Sequence, residues 1–109
     1  MKNYICLCLF LILGSFFAFV PVQASFPLSG LVFVIDPGHG GVDPGTVVGS
    51  VYEKNINLQI SLALRDEITK LGGTVYMTRE GDYDLGTPNA TYRKKSDFDH
   101  RIHYINTSN

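Results

Sequence analysis

The stretch Leu31-Val-Phe-Val-Ile-Asp-Pro-Gly-His-Gly-Gly41 decides the fold, because it joins a short apolar segment directly to a glycine-rich turn. The segment up to Ile35 is entirely apolar and mostly β-branched or aromatic, which predicts a strand covered on both faces. Pro37 has no amide hydrogen to donate to a sheet, so we expect the strand to end there. The glycines that follow permit positive φ angles around His39. In open α/β sheets, binding and catalytic sites form at such strand ends.

His39 on this turn admits three interpretations. A single histidine on a glycine-rich loop is most often merely exposed. A dinucleotide-binding loop is excluded, because Asp43 stands where the third glycine of G-x-G-x-x-G belongs, and the chain contains no G-K-[ST] sequence. The third interpretation is a metal site, and the next part of the chain favours it.

The first 24 residues have the pattern of a secretory signal peptide, which predicts a boundary between a signal at 1–24 and a domain at 25–109. Lys2 gives a short positive region, residues 5–20 form an apolar run without a charge, and Val22-Gln-Ala24 resembles a cleavage site. An uncleaved anchor is the alternative, although the run is short for a membrane span of about 20 residues. We therefore expect export across the membrane, and membrane association only through an uncleaved signal.

The composition of residues 25–109 limits their possible metal ligands, binding partners and number of secondary-structure elements. Both cysteines, Cys6 and Cys8, lie in the predicted signal, so any metal in the remainder must be held by His, Asp or Glu. The charge balance is close to neutral and gives no argument for nucleic-acid binding. A segment of this size without disulfides is marginal for a stable core and has room for about two strands and two helices. No closing strand follows the last helical pattern, which predicts a truncated domain.

The order of elements predicts an α/β fold with a mainly parallel sheet flanked by helices. We expect a first strand over Leu31–Asp36, a glycine-rich loop over 37–50 and a helix from Glu53 to about Leu71. A second strand over Thr74–Thr78 would then pair in parallel through a right-handed crossover. After a polar loop to Tyr92, a pattern resembling a capping box predicts a second helix from Ser96 to about Asn106.

Apolar residues at helical spacing in the first helix are expected to form its core face. They are Ile56, Ile60, Leu64, Ile68 and Leu71.

Glu53 is the residue that favours a metal site, because it begins the helix that returns to the strand end carrying His39. A carboxylate at a helix N-terminus is stabilised by the helix dipole, which alone would account for Glu53. Together the two side chains could instead form a His/Glu metal pair. Zinc is the natural metal for an imidazole and a carboxylate with an open position for water.

Other charged side chains leave alternatives open. Asp36 could accept a hydrogen bond from His39 or from its own turn, and both are equally supported. Arg79 and Asp82 could brace the loop over the cleft or form an ordinary surface pair.

Two further groups near the C-terminus are interpreted as solvated. His100 and His103 share a helix face and could bind metal, but a solvated face is favoured. The basic run Arg93-Lys-Lys95 could meet an anionic wall polymer, but a solvated loop end is favoured.

A set of motifs in combination resembles the zinc-dependent N-acetylmuramoyl-L-alanine amidases of peptidoglycan, the amidase-3 family. The likeness covers nearly all of residues 31–109 and, within the family, is greatest to germination-specific amidases that prepare the spore cortex. The motifs are Asp36-Pro-Gly-His-Gly-Gly41, Asp43-Pro-Gly45, Tyr52-Glu-Lys-Asn-Ile-Asn-Leu58 and Gly73-Thr-Val-Tyr-Met-Thr-Arg79 with Asp82.

The resemblance implies a peptidoglycan hydrolase that cleaves the amide between N-acetylmuramic acid and the L-alanine of the stem peptide, with a zinc-activated water as nucleophile. It implies that His39 and Glu53 are the first and second zinc ligands. The family's third ligand, a histidine in a Ser-Ile-His context, and its catalytic glutamate do not stand in this sequence, and we expect both beyond Asn109. The implied location is the cell wall or spore cortex, in sporulation and germination, and an activating protein partner is left open.

Three functions therefore remain for this chain. It is a zinc amidase of peptidoglycan, an inactive fragment of one, or a non-catalytic module that binds the cell wall.

Overall fold

The computed structural model describes residues 26–108, so the predicted signal peptide over 1–24 lies outside the described part. Its elements in chain order are β1 (Val32–Ile35), β2 (Val47–Val48), β3 (Val51–Tyr52), α1 (Glu53–Lys70), β4 (Thr74–Met77) and α2 (Arg93–Thr107). Neither helix of this described range is long and apolar enough to cross a membrane.

A parallel pair of strands connected by a helix forms the centre of the fold. β1 pairs with β4 in a register that runs from Val32 opposite Thr74 to Ile35 opposite Met77, and α1 makes the crossover between them. The predicted α/β class with a mainly parallel sheet and two helices is confirmed. The carboxyl ends of both strands lie side by side, since the Thr78 amide donates to the Ile35 carbonyl at 3.1 Å. The residues that follow each strand therefore meet at one edge of the sheet.

A small hairpin interrupts the loop that was expected over 37–50. β2 and β3 pair antiparallel, with Val47 opposite Tyr52 and Val48 opposite Val51. The tight turn between them uses Gly49 at a φ of 60°. A Gly-Ser pair between two short β-branched segments is a hairpin signal that could have indicated this turn from the sequence. The hairpin delivers the chain directly into the first turn of α1.

Helix α1 agrees with its predicted bounds, but its predicted core face is wrong. Within residues 26–108 only Ile68, at 9% exposure, and Met77, at 6%, are buried hydrophobic side chains. Ile56, Ile60, Leu64 and Leu71 are all exposed. The helix turns the face with Ser61 and Ile68 inward, so Ile68 is the one member of the predicted core face that is buried. Val32 of β1 is 51% exposed, so the expectation that β1 is covered on both faces is also wrong.

Helix α2 begins at Arg93, three residues before the expected start, and the predicted capping box does not form. The Ser96 hydroxyl accepts a hydrogen bond from the Thr87 amide at 3.0 Å instead of capping a helix end. The buried residues of α2 are Asp97 and Arg101, whereas its apolar residues Phe98, Ile102 and Ile105 are exposed. Charged contacts therefore attach this helix to the rest of the fold.

Candidate metal centre

The turn after β1 holds His39 in a conformation that few side chains adopt. His39 has a φ of 63° and is followed by Gly40 and Gly41, which also have positive φ. A left-handed conformation at a residue other than glycine costs on the order of 1–3 kcal/mol and persists only where the surroundings enforce it. Reciprocal backbone hydrogen bonds between Gly40 and Asp43, at 2.9 and 3.0 Å, close the turn. This closure brings the Asp43 carboxylate beside the imidazole.

The two predicted metal ligands meet at the sheet edge. His39 Nε2 lies 3.2 Å from Glu53 Oε1, although one residue follows β1 and the other begins α1. Two ligands of a tetrahedral zinc ion at about 2.0–2.2 Å from the metal are about 3.3 Å apart. The two side chains are about one quarter and two fifths exposed, so solvent and substrate can reach them. Their geometry therefore fits a shared cation with open positions.

Asp43 orients the imidazole, a role that was not predicted from the sequence. His39 Nδ1 lies 2.9 Å from Asp43 Oδ2, and the Gly45 amide donates to Asp43 Oδ1 at 3.2 Å. With a metal bound, the Nδ1–H group would donate to this carboxylate and leave the Nε2 lone pair for the metal. Asp36, for which His39 and its own turn were equally supported partners, instead accepts hydrogen bonds from Thr78 Oγ1 and Arg101 Nη1. An Asp two residues before a glycine amide is the Asx-turn signal that could have indicated Asp43.

The second carboxylate oxygen of Glu53, Oε2, is held by Thr46. The Thr46 amide donates to Glu53 Oε2 at 2.8 Å, and the Glu53 amide in turn donates to the Thr46 carbonyl at 3.0 Å. The hydrogen bond from Thr46 is the main cause that lowers the pKa of Glu53, with a smaller contribution from His39. The carboxylate is thus ionised at neutral pH, as a metal ligand must be.

Gly45 fills the space between the two candidate ligands. A Cβ atom at this position would lie 2.7 Å from His39 Cδ2 and 2.8 Å from Glu53 Cβ. Its φ of 65° also favours glycine. The Asp-Pro-Gly turn therefore lets the backbone pass directly against both side chains.

The polar residues after β4 support the turn, but Arg79 and Asp82 do not pair with each other. Arg79 is buried and Asp82 is exposed, and no hydrogen bond or ion pair joins them among the described residues. Asp82 accepts hydrogen bonds from the Gly41 amide at 2.9 Å and from Lys54 Nζ at 2.8 Å. Lys54 also donates to the Gly41 carbonyl at 2.9 Å. Asp82 and Lys54 together tie the glycine turn to the first turn of α1.

Within the described residues, His100 and His103 belong to no group of side chains that could hold a metal. His100 Nδ1 lies 2.6 Å from the carbonyl of Leu85, and both His100 and His103 are exposed on α2. Over the described range 26–108, no group of three or more His, Cys, Asp or Glu side chains is arranged to hold a metal ion. The geometry therefore offers a two-residue pair rather than a complete zinc site.

The basic run is part of the first turn of α2 rather than a loop end. Its three cations pair with carboxylates: Arg93 with Asp84, Lys94 with Asp43 at 3.4 Å, and Lys95 with Asp99. Lys94 adds a positive charge beside the carboxylate that orients His39.

Two clefts open beside the turn that carries His39, and Asp43 and Asp97 line both. One has a volume of about 150 Å³ and is lined by Asp36, Gly38, His39, Asp43, Asp97, Phe98 and Arg101. The other has a volume of about 320 Å³ and is lined by Val42, Asp43, Asp84, Arg93, Lys94 and Asp97. The imidazole is therefore reachable by a ligand larger than water.

Titration of Asp43 should report its bond with His39. The hydrogen bond with His39 is the largest cause that lowers the pKa of Asp43. We expect His39→Ala to raise this pKa toward its ordinary value, as measured by ¹³C NMR of the Asp side chains. A depressed carboxylate pKa stabilises the fold above the unfolded-state value near 4, and this stabilisation is lost as the pH falls through the folded-state pKa.

Asp82 is the internal control for this titration. Lys54 is the main cause that lowers the pKa of Asp82, so His39→Ala should leave it unchanged. Equal shifts at Asp43 and Asp82, or no shift at Asp43, would contradict the hydrogen bond between Asp43 and His39.

Comparison with known proteins relates this chain to a protein family. The model of the Amidase_3 family, N-acetylmuramoyl-L-alanine amidase, matches residues 33–109. The germination-specific N-acetylmuramoyl-L-alanine amidase of Bacillus subtilis is 44% identical over 87 residues, which cover 77% of this chain and 37% of the relative. The amidase AmiC of Neisseria meningitidis is 42% identical over 52 residues, covering 47% of this chain and 12% of that protein.

A solved structure has the same fold. The CwlD amidase of Clostridioides difficile, determined in complex with the GerS lipoprotein, superimposes with a TM-score of 0.68 at 38% identity. The match covers 72% of this chain and 43% of that one. The chain thus spans less than half the length of each of these relatives. Because the family model covers most of its length, the chain belongs to the Amidase_3 family of N-acetylmuramoyl-L-alanine amidases.

Proposed function

We propose that this chain contributes His39 and Glu53 to the zinc centre of a peptidoglycan amidase. The observation that carries the proposal is the 3.2 Å separation between His39 Nε2 and Glu53 Oε1, which matches two corners of a zinc tetrahedron. One imidazole and one ionised carboxylate form a donor set suited to zinc. When bound, zinc would supply a water ligand of lowered pKa and a positive charge that polarises a carbonyl group.

The chain's own residues would prepare the two ligands before metal arrives. Asp43, 2.9 Å from His39 Nδ1, would accept its N–H and leave Nε2 to bind the metal. The Thr46 amide occupies Glu53 Oε2, so Oε1 is the oxygen that faces the imidazole. Both ligands are therefore oriented by neighbours that do not themselves bind the metal.

The proposed substrate is the amide between N-acetylmuramic acid and the L-alanine of the stem peptide. Support comes from family membership and from relatives named for this activity. The clefts beside His39 offer room for parts of such a substrate. A third metal ligand and a general base would come from the part of the family domain that this chain does not match. The whole reaction needs both, because a general base must take the proton from the attacking water.

The proposed setting is the cell wall or spore cortex, after export directed by residues 1–24. Support comes from the germination-specific relative and from relatives in Staphylococcus aureus named probable cell wall amidase LytH. The CwlD structure contains a lipoprotein, GerS, and a protein of this kind is a candidate activating partner here.

A non-catalytic wall-binding module is the second candidate. It is favoured by the finding that the described residues 26–108 hold no cluster of three metal-ligating side chains. A two-ligand site would bind zinc weakly, because a catalytic zinc usually has three protein ligands.

Zinc titration of the full chain by calorimetry tests the metal pair. We expect His39→Ala and Glu53→Gln each to weaken zinc binding at least about tenfold, whereas His103→Ala, which removes an exposed histidine of α2, should leave it unchanged. Equal losses in all three variants, or a zinc affinity in His39→Ala equal to that of the parent chain, would refute the proposed ligands.

Muropeptide analysis separates the amidase from the wall-binding module. Mass spectrometry of peptidoglycan treated with the full chain should reveal muramic acid without stem peptide if the chain is itself an active amidase. Sedimentation of the chain with peptidoglycan without such products would support the non-catalytic module.

A further inference from the structure

Arg79 is the most deeply buried charged side chain of the described residues and contacts the backbone on both sides of the candidate centre. It lies two residues after the end of β4 and is only 1% exposed. Its Nε donates to the Pro37 carbonyl at 2.8 Å and its Nη1 to the Gly81 carbonyl at 2.9 Å. Its Nη2 donates to the carbonyls of Gly38 and Lys54, both at 2.9 Å.

The two bonds from Nη2 join the segments that carry the candidate ligands. Gly38 immediately precedes His39, and Lys54 immediately follows Glu53. A single nitrogen therefore links the peptide next to one ligand to the peptide next to the other. Arg101 also holds the turn, through the His39 carbonyl, but none of its hydrogen bonds reaches α1.

Burying the charged guanidinium of Arg79 costs stability, which indicates that this side chain has a role beyond packing. Burial, and then the nearby charge of Arg101, lower the pKa of Arg79, while more distant carboxylates act in the opposite direction. An arginine nevertheless stays protonated, because its unperturbed pKa lies far above neutral pH. All four hydrogen bonds go to backbone carbonyls. The buried guanidinium therefore holds several backbone segments in fixed positions.

We propose that Arg79 is a positioning residue that sets the separation between His39 and Glu53. This inference rests on the proposed zinc pair, but its structural part can be tested without metal. The planar guanidinium reaches four carbonyls in fixed directions, whereas a lysine ammonium is a compact charge with three donors. Lysine at this position would keep the charge and lose the link between the turn and α1.

Arg79→Lys in the full chain is the test, with two readouts. Zinc binding by calorimetry should weaken about 10–100-fold, the range typical of residues that orient metal ligands. Without metal, the nuclear Overhauser contact between the His39 ring and the Glu53 β-protons should weaken or vanish. Arg79→Gln, which removes the buried charge, replaces Arg79→Lys if the lysine variant does not fold.

Two matched variants separate positioning from general stability. Arg65→Lys makes the same exchange on α1, where Arg65 binds Asp66 and Glu80 at the surface. Ile68→Val loosens a buried contact that lies away from the site. Both controls should keep the His39–Glu53 contact and bind zinc within about twofold of the parent chain.

The outcomes distinguish this inference from the proposed function. An intact His39–Glu53 contact together with unchanged zinc binding in Arg79→Lys would overturn the positioning role, as would equal losses in Ile68→Val. If the parent chain binds no zinc, the proposed function fails. The metal-free contact, present in the parent chain and lost in Arg79→Lys, would still support the positioning role.

Discussion

Gly45→Ala should push His39 and Glu53 apart and weaken zinc binding at least about tenfold. The new methyl group would lie 2.7 Å from His39 Cδ2 and 2.8 Å from both Cβ and Oε2 of Glu53. Carbon atoms in comfortable contact are about 3.5–4.0 Å apart, so both side chains must move. Misplacing two ligands costs affinity even when both are still present. Calorimetric zinc titration and urea unfolding of the full chain measure the effects on affinity and stability.

Gly49→Ala is the matched control, because it has the same backbone strain without the contact. Gly49 has a φ of 60° against 65° at Gly45, and a methyl group added there would meet no atom of the described residues within 4 Å beyond its chain neighbours. Each substitution should lose about 1–2 kcal/mol of stability from the left-handed backbone. Only Gly45→Ala should also lose zinc affinity. Equal zinc affinities in the two variants would show that Gly45 does not govern the spacing of the ligands.

Arg101→Met should destabilise the fold by about 3–5 kcal/mol, the range for removing one member of a buried ion pair. Arg101 is 3% exposed and donates to Asp97 at 2.9 Å and to Asp36 at 2.6 Å. It also donates to the carbonyls of Pro37 and His39. Methionine fills similar space but leaves the Asp97 carboxylate buried without its cation. The apolar side chains Phe98, Ile102 and Ile105 of α2 are exposed, so this helix depends on polar anchors, of which Arg101 is the most buried.

Lys95→Met gives the comparison on the same helix. Lys95 and Asp99 form another pair four residues apart, but both side chains are exposed. Exposed pairs of this kind contribute about 0.3–0.5 kcal/mol. Urea unfolding should therefore separate the two variants by several kcal/mol. Unfolding free energies that agree to within about 1 kcal/mol would mean that the buried network does not anchor α2.

Local sequence patterns were sufficient to predict the elements that position the candidate site. An apolar run that stops at Pro37, and a helix that begins at Glu53 and ends before two glycines, predicted β1 and α1. The parallel pairing followed from their order, because a strand, a helix and a strand connect in one preferred hand. The proximity of His39 and Glu53 followed from the same topology.

The remaining features depend on contacts between distant parts of the chain. Helical spacing identified an apolar stripe on α1 but not whether another element covers it, and only Ile68 of that stripe is buried. Arg79 was left between a brace over the cleft and a surface pair, and Arg101 was given no role, since sequence does not reveal the carbonyl groups that a buried guanidinium can reach. Asp43 was recognised as part of a turn, while its bond to His39 depends on how that turn closes.

The two-stranded sheet has a consequence for handling the protein. Within residues 26–108, β1 and β4 pair only with each other, so each strand presents unpaired peptide groups along its outer side. Exposed Val32 and Tyr76 lie on these strands. Such edges are templates for strand addition by a neighbouring molecule. Strand addition at these edges would increase with concentration, so dilute solutions are the right condition for measuring the affinity and stability of this chain.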